Sequence, residues 1–137
     1  MNRRRTLTIV LLVLAILGVS CSDTKNPTVT GVLPTRTIDA GSVTVTITPT
    51  RFDAQGATFA IVLDTHAVEL SMDLAASAVL DVDGQRRPAA GWTGDGPGGH
   101  HREGELRFDQ AGAARGTARL TITGLPKPVE AAWDLPG

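Results

Sequence analysis

The stretch Val43-Thr44-Val45-Thr46-Ile47-Thr48-Pro49 (VTVTITP) alternates strictly between apolar and polar side chains. A β-strand turns successive side chains to opposite faces. Val43, Val45 and Ile47 therefore line one face, and Thr44, Thr46 and Thr48 line the other. Every residue from 43 to 48 is β-branched, which suits a pleated, half-buried surface better than a helix. Pro49 has no N–H to give to a ladder and is expected to end the strand.

The same period runs outward along the chain. Residues 58–64 (TFAIVLD) set Phe59, Ile61 and Leu63 against Thr58, Ala60, Val62 and Asp64. Ala78, Leu80 and Val82 alternate with Asp81 and Asp83, and Asp83-Gly84 carries a tight hairpin-turn signature. Further pairs follow: Leu106 with Phe108 in a strand from Glu105, and Leu120 with Ile122. The last strand offers Val129, Ala131, Trp133 and Leu135. Only Val68 to Ala76 has a helical spacing, with Leu70 and Leu74 one turn apart, and it is short. About seven short strands separated by Gly/Pro turns predict an all-β domain, an immunoglobulin-like antiparallel β-sandwich. A small closed barrel is the second solution. The likeness to immunoglobulin domains is architectural, because a chain with one Cys and no Tyr has neither their disulfide nor their tyrosine corner. Trp133 is the expected core tryptophan.

The chain has 137 residues, enough for one domain and short for two once a leader is removed. Aromatics at 4%, charged residues at 20% and both signs interspersed match neither a collagen-like nor a coiled-coil composition. The net charge of −1 hides a split: without Arg3, Arg4 and Arg5, ten basic residues face fourteen acidic ones. That balance argues against nucleic acid as a partner, since phosphate binding needs a basic face.

The N-terminus reads as an export segment. Asn2 to Arg5 is cationic, and Leu7 to Ser20 (LTIVLLVLAILGVS) is a run of 14 residues without a charge. Crossing a bilayer takes roughly 20 apolar residues, so the run suits a signal-peptide core better than a span. It ends in Leu17-Gly18-Val19-Ser20-Cys21, small residues before the single Cys. This segment resembles a bacterial lipoprotein signal, the lipobox, over residues 1–21. Ser20 matches the small residue before the cleavage point and Cys21 the lipidated residue. Gly18 departs from the usual Leu. The resemblance implies cleavage before Cys21, a diacylglyceryl thioether on its sulfur and acylation of its new N-terminus. Two or more chains anchor a protein stably where one does so marginally. The alternative is an uncleaved anchor helix; either way the body lies outside the cytoplasmic membrane, tied to the membrane through its N-terminus. The expected organisation is a signal peptide at 1–20, the lipidated Cys and a flexible tether at 21–38, and the β-sandwich domain at 39–137. Within the tether, Val29, Val32 and Leu33 form an alternative short edge strand.

Candidate chemistry gathers in two places. Asp64-Thr65-His66 closes one strand, and residues 91–104 (GWTGDGPGGHHREG) hold six glycines together with His100 and His101. Strand parity places Asp64 and His66 on the solvent face, and His101 and Glu103 on the solvent face of the later strand. Imidazoles with carboxylates suit zinc or copper, so His66, His100 and His101 are candidate metal ligands, with Asp64 and Glu103 as supporting carboxylates. The competing use is a structural clasp, with His66 bonded to a loop carbonyl and Asp64 paired with Arg102 or a histidine. Blue copper needs a Cys thiolate, and the one Cys is taken by the lipid anchor. Trp92 is a candidate ligand-stacking aromatic or a cover for the core edge. Asp81-Val82-Asp83-Gly84 lacks the distal Glu of a calcium loop, and the glycine run lacks the Lys-Ser/Thr of a phosphate loop. No serine sits in a nucleophile-elbow context.

The DTH segment together with Gly98 to Phe108 (GGHHREGELRF) is also similar to a group of uncharacterised exported prokaryotic proteins. That resemblance carries an expectation of fold and none of mechanism. The sequence thus predicts a non-catalytic, lipid-anchored extracytoplasmic module that binds an envelope protein or small ligand. A histidine-dependent zinc or copper binder is the alternative.

Overall fold

A computed structural model describes residues 32–112 and 115–136. The signal segment, Cys21 and the tether up to residue 31 lie outside the described residues.

Nine strands form among those residues: β1 (Arg36–Asp39), β2 (Val43–Asp53), β3 (Gly56–Thr65), β4 (Ala78–Val82), β5 (Gln85–Pro88), β6 (Gly91–Gly94), β7 (His101–Asp109), β8 (Gly116–Ile122) and β9 (Val129–Leu135). They make two antiparallel sheets, a five-stranded one in the order β1-β2-β3-β7-β6 and a four-stranded one in the order β5-β4-β8-β9. This is the two-layer sandwich that the alternation predicts. Every inward position named from the sequence in these strands is buried, from Val43, Val45 and Ile47 to Trp133 and Leu135. Phe59 ties the layers together. Its ring lies 5.4 Å from Trp133 of the opposite sheet and meets Phe108 and Phe52 edge-on. Trp133 also donates its indole N–H to the Pro34 carbonyl at 2.7 Å, which holds the chain before β1 against the core.

Several elements differ from expectation. Pro49 does not end β2; the strand continues to Asp53 across a register shift between Pro49 and Arg51. The bulge leaves Thr50 out of the ladder, and the irregularity beside it accommodates Pro49, which stays opposite Phe59. The helical spacing at 68–76 yields only one turn, α1 (Leu74–Ser77), capped by the Asp73 carboxylate on the Ala76 N–H. β1 (Arg36–Asp39) spans the expected tether–domain boundary at 38/39, and Val32 and Leu33 of the alternative edge strand lie outside any strand, Val29 being outside the described residues. β5 (QRRP) and β6 (GWTG) carry no alternation, so period-two reading passes over them. The hairpin at Asp83-Gly84 is as expected, with both residues at positive φ (52° and 83°) as a type I′ turn requires.

Strand direction sorts the connections to two ends. Loops 40–42, 66–73, 95–100 and 123–128 gather at one end of the sandwich. Turns 54–55 and 83–84 lie at the other, and the chain enters β1 from that side.

Candidate functional site

The loop end is built around the β6–β7 pair. Gly94 and Gly104 face each other there in register. A Cβ on Gly104 would lie 2.5 Å from the Thr93 carbonyl oxygen and 2.7 Å from Trp92 Cζ2; one on Gly94 would lie 2.3 Å from the Glu103 oxygen. Two bare backbones are thus what let Trp92 fold over the strand. Beyond them the chain returns along the β3–β4 connection. The Thr65 N–H donates to His100, Leu70 donates to Gly99, and Gly98 donates to Leu70, each at 2.9 Å. Gly98 and Gly99 take φ of 118° and 72°, values that L side chains seldom adopt, so the close approach depends on glycine.

Arg102 pins the two loops together. It is 1% exposed, on the inward face of β7. One guanidinium nitrogen, Nη1, donates to the Leu70 carbonyl (3.1 Å) and the Met72 carbonyl (2.7 Å), and Nη2 donates to the Asp95 carbonyl (3.1 Å). The Trp92 ring lies with its centroid 5.7 Å from the guanidinium carbon, and its indole N–H donates to the same Asp95 carbonyl at 2.9 Å. A planar, permanently charged fork can serve three carbonyls on two loops at once, which a point-charge ammonium cannot. The Asp95 carboxylate closes the arrangement by accepting the Glu103 N–H at 3.0 Å.

His101, the residue before Arg102, points outward. Its Nδ1 is 2.6 Å from Asp64 Oδ1, directly across the β3–β7 ladder, and Nε2 is 3.8 Å from Glu103 Oε2. Donating its ring N–H to the Asp64 carboxylate raises the His101 pKa above its ordinary value, with smaller contributions from the charges of Asp64, Glu103 and Asp95. A histidine held up in the folded state contributes its full stabilisation below the unfolded value, near 6.5, and loses it as pH rises through the higher folded value. The pair is solvent-exposed, so the effect on overall stability is small. Replacing Asp64 with Asn is therefore expected to lower the His101 titration midpoint followed by NMR, with little change in melting temperature. An unmoved midpoint would show that Asp64 does not govern the ring.

Of the clasp expected from the sequence, the Asp64–histidine pair forms, through His101. Arg102 instead goes inward to carbonyls, and His66 lies beyond the end of β3, exposed, with no hydrogen-bond partner among the described residues. His100 is exposed and contributes its backbone carbonyl to Thr65. Trp92 is half-buried and bonded within the protein. The candidate ligands His66, His100 and His101 do not assemble: among the described residues no group of three His, Cys, Asp or Glu side chains is placed to hold a metal ion. Zinc or copper at micromolar excess is accordingly expected to leave the melting temperature and the His101 resonances unchanged, in the parent and in His66→Ala alike. A metal-dependent rise of several degrees that disappears in His66→Ala would contradict this arrangement.

Among the described residues no helix is long and apolar enough to cross a membrane. No protein-family model, curated protein or solved structure matches the chain.

Proposed function

We propose that the protein is a lipid-anchored extracytoplasmic module that catalyses nothing and uses its loop end as a rigid contact surface for an envelope partner. The observation that carries this reading is the Arg102 clasp. Binding surfaces made of loops lose affinity when the loops must be ordered on contact, and a clasp that orders them beforehand removes that loss. A long, glycine-rich loop held by a buried arginine has its ordering already in place. Asp64 is engaged with His101, and Asp95 accepts the Glu103 backbone amide; among the described residues of this end no nucleophile–base pair forms. The 14-residue apolar run and Cys21 support the anchor and the extracytoplasmic placement.

Two experiments test the two halves. Mass spectrometry of protein from native membranes is expected to find a chain beginning at an acylated Cys21; an intact Met1 with a free thiol would remove the anchor. Photo-crosslinking in intact cells from position 97, at the exposed tip of the glycine loop, is expected to give a discrete adduct that is lost in Arg102→Met. Position 119, on the outer face of the four-stranded sheet, should give none. Equal adducts from both positions, or none from 97, would contradict a loop-end contact surface.

A further inference from the structure

The ends of the sandwich differ in charge as well as in loops. At or next to the loop end stand Asp39, Asp64, Glu69, Asp73, Asp95 and Glu103, against exposed Lys127 and the imidazoles of His66, His100 and His101, of which His101 is paired with Asp64. The opposite end carries Arg51, Arg86, Arg87, Arg107 and Arg115 against Asp53, Asp83, Asp109 and Asp134. Two of those arginines are engaged, Arg51 with Asp53 at 2.7 Å and Arg107 with Asp109 at 3.7 Å. Among the described residues, Arg86, Arg87 and Arg115 have no carboxylate within ion-pair distance. Arg86 and Arg87 line an open groove of about 360 Å³ that also reaches Ala90, Asp109 and Gln110. The buried Arg87 Nε has no hydrogen-bond acceptor among the described residues. The chain before β1 approaches from this same end: Pro34 is held there by Trp133, and Cys21 lies only thirteen residues before it.

We propose that this arginine-bearing end rests on the anionic headgroups of the bilayer that holds the anchor, with lipid phosphate taken by Arg86 and Arg87, and that the acidic loop end faces away. The inference rests on the anchored reading above. A tether of this length keeps the domain close to the surface, so charge decides which way it faces. The anionic surface attracts the end with spare arginines and repels the end with six carboxylates. This orientation leaves the loop end free for a partner.

The test uses the full chain purified from native membranes and reconstituted into phosphatidylcholine vesicles with or without phosphatidylglycerol. A fluorophore is introduced through a keto amino acid, leaving Cys21 untouched, either at position 54 in the β2–β3 turn or at position 97. Quenching is read from headgroup-labelled lipid. The label at 54 is expected to be quenched more on anionic than on neutral vesicles. High salt, or the combined variant Arg86→Gln, Arg87→Gln and Arg115→Gln, should close the gap, since each arginine at such a surface is worth about fivefold in partition. The label at 97 should stay unquenched throughout. Quenching at 97, or quenching at 54 that ignores lipid charge and the arginine variant, would overturn the orientation while the anchor stands. Failure of the anchor is separately visible, as a chain that does not float with neutral vesicles. The comparison on anionic vesicles still decides the orientation in that case, and absence of binding there counts against it.

Discussion

Arg102→Met is expected to lower the unfolding free energy by about 3 kcal/mol and to release both loops of the glycine-rich end. Two opposing effects set that figure. Methionine spares the cost of burying a cation, and replacing a buried charge with an apolar side chain is sometimes neutral. Against this stand three charge-assisted hydrogen bonds, each worth about 1.5–3 kcal/mol. They end on carbonyls of differing need. The Leu70 carbonyl keeps the Gly98 N–H, and the Asp95 carbonyl keeps the Trp92 indole N–H. The Met72 carbonyl, which receives the shortest of the three bonds, has no second donor among the described residues. The loss of bonds outweighs the relief of desolvation because no carboxylate neutralises Arg102 among the described residues; its charge is offset by carbonyl dipoles and the Trp92 face, which methionine does not engage in the same way. Arg102→Lys should recover little, since an ammonium reaches one loop at a time. Denaturant unfolding of the three proteins reads the order directly, and a methionine variant as stable as the parent would refute the clasp.

Gly104→Ala should cost about 2 kcal/mol, in the middle of the range for overpacked sites, although it adds one carbon. The new Cβ would lie 2.5 Å from the Thr93 carbonyl oxygen and 2.7 Å from the Gly94 Cα. Both are backbone atoms of β6, so the strand itself must move, and Trp92 moves with it. The indole then leaves Arg102, and its fluorescence should shift to the red as water reaches the ring. Gly96→Ala is the matched control. Nothing lies within 4 Å of its would-be Cβ, and no positive φ is involved, so it should leave stability and fluorescence alone. Equal behaviour of the two variants would show that the β6–β7 contact is looser than described.

The fold was legible because half-buried antiparallel strands write their burial into every second residue. Val43, Val45 and Ile47, or Ala78, Leu80 and Val82, could hardly be arranged otherwise. β5 and β6 were illegible for the same reason. As edge strands, in QRRP and GWTG, they need no apolar face, and their place is set by hydrogen bonds to β4 and β7. Pro49 misled because a proline at a bulge and a proline at a strand end look alike in sequence. The site was partly legible. Parity correctly put His101 and Glu103 on the outer face, and it brought His101 opposite Asp64. The same parity, carried back from Leu106 and Phe108, assigns Arg102 and Gly104 to the inner face. An arginine on the buried side of a strand beside a glycine-rich loop is the sequence signal for the clasp. What parity does not reveal is what the guanidinium meets, since Leu70, Met72 and Asp95 come from loops whose path no periodicity encodes.

Hydrogen exchange at the amides of Leu70 and Gly98 is the most direct measure of whether Arg102 holds a preformed surface. These N–H groups belong to loop-to-loop bonds. The account predicts protection in the free protein approaching that of the β3 and β7 amides, abolished in Arg102→Met while those strands stay protected. Exchange at the rate of an open loop in the parent protein would contradict it.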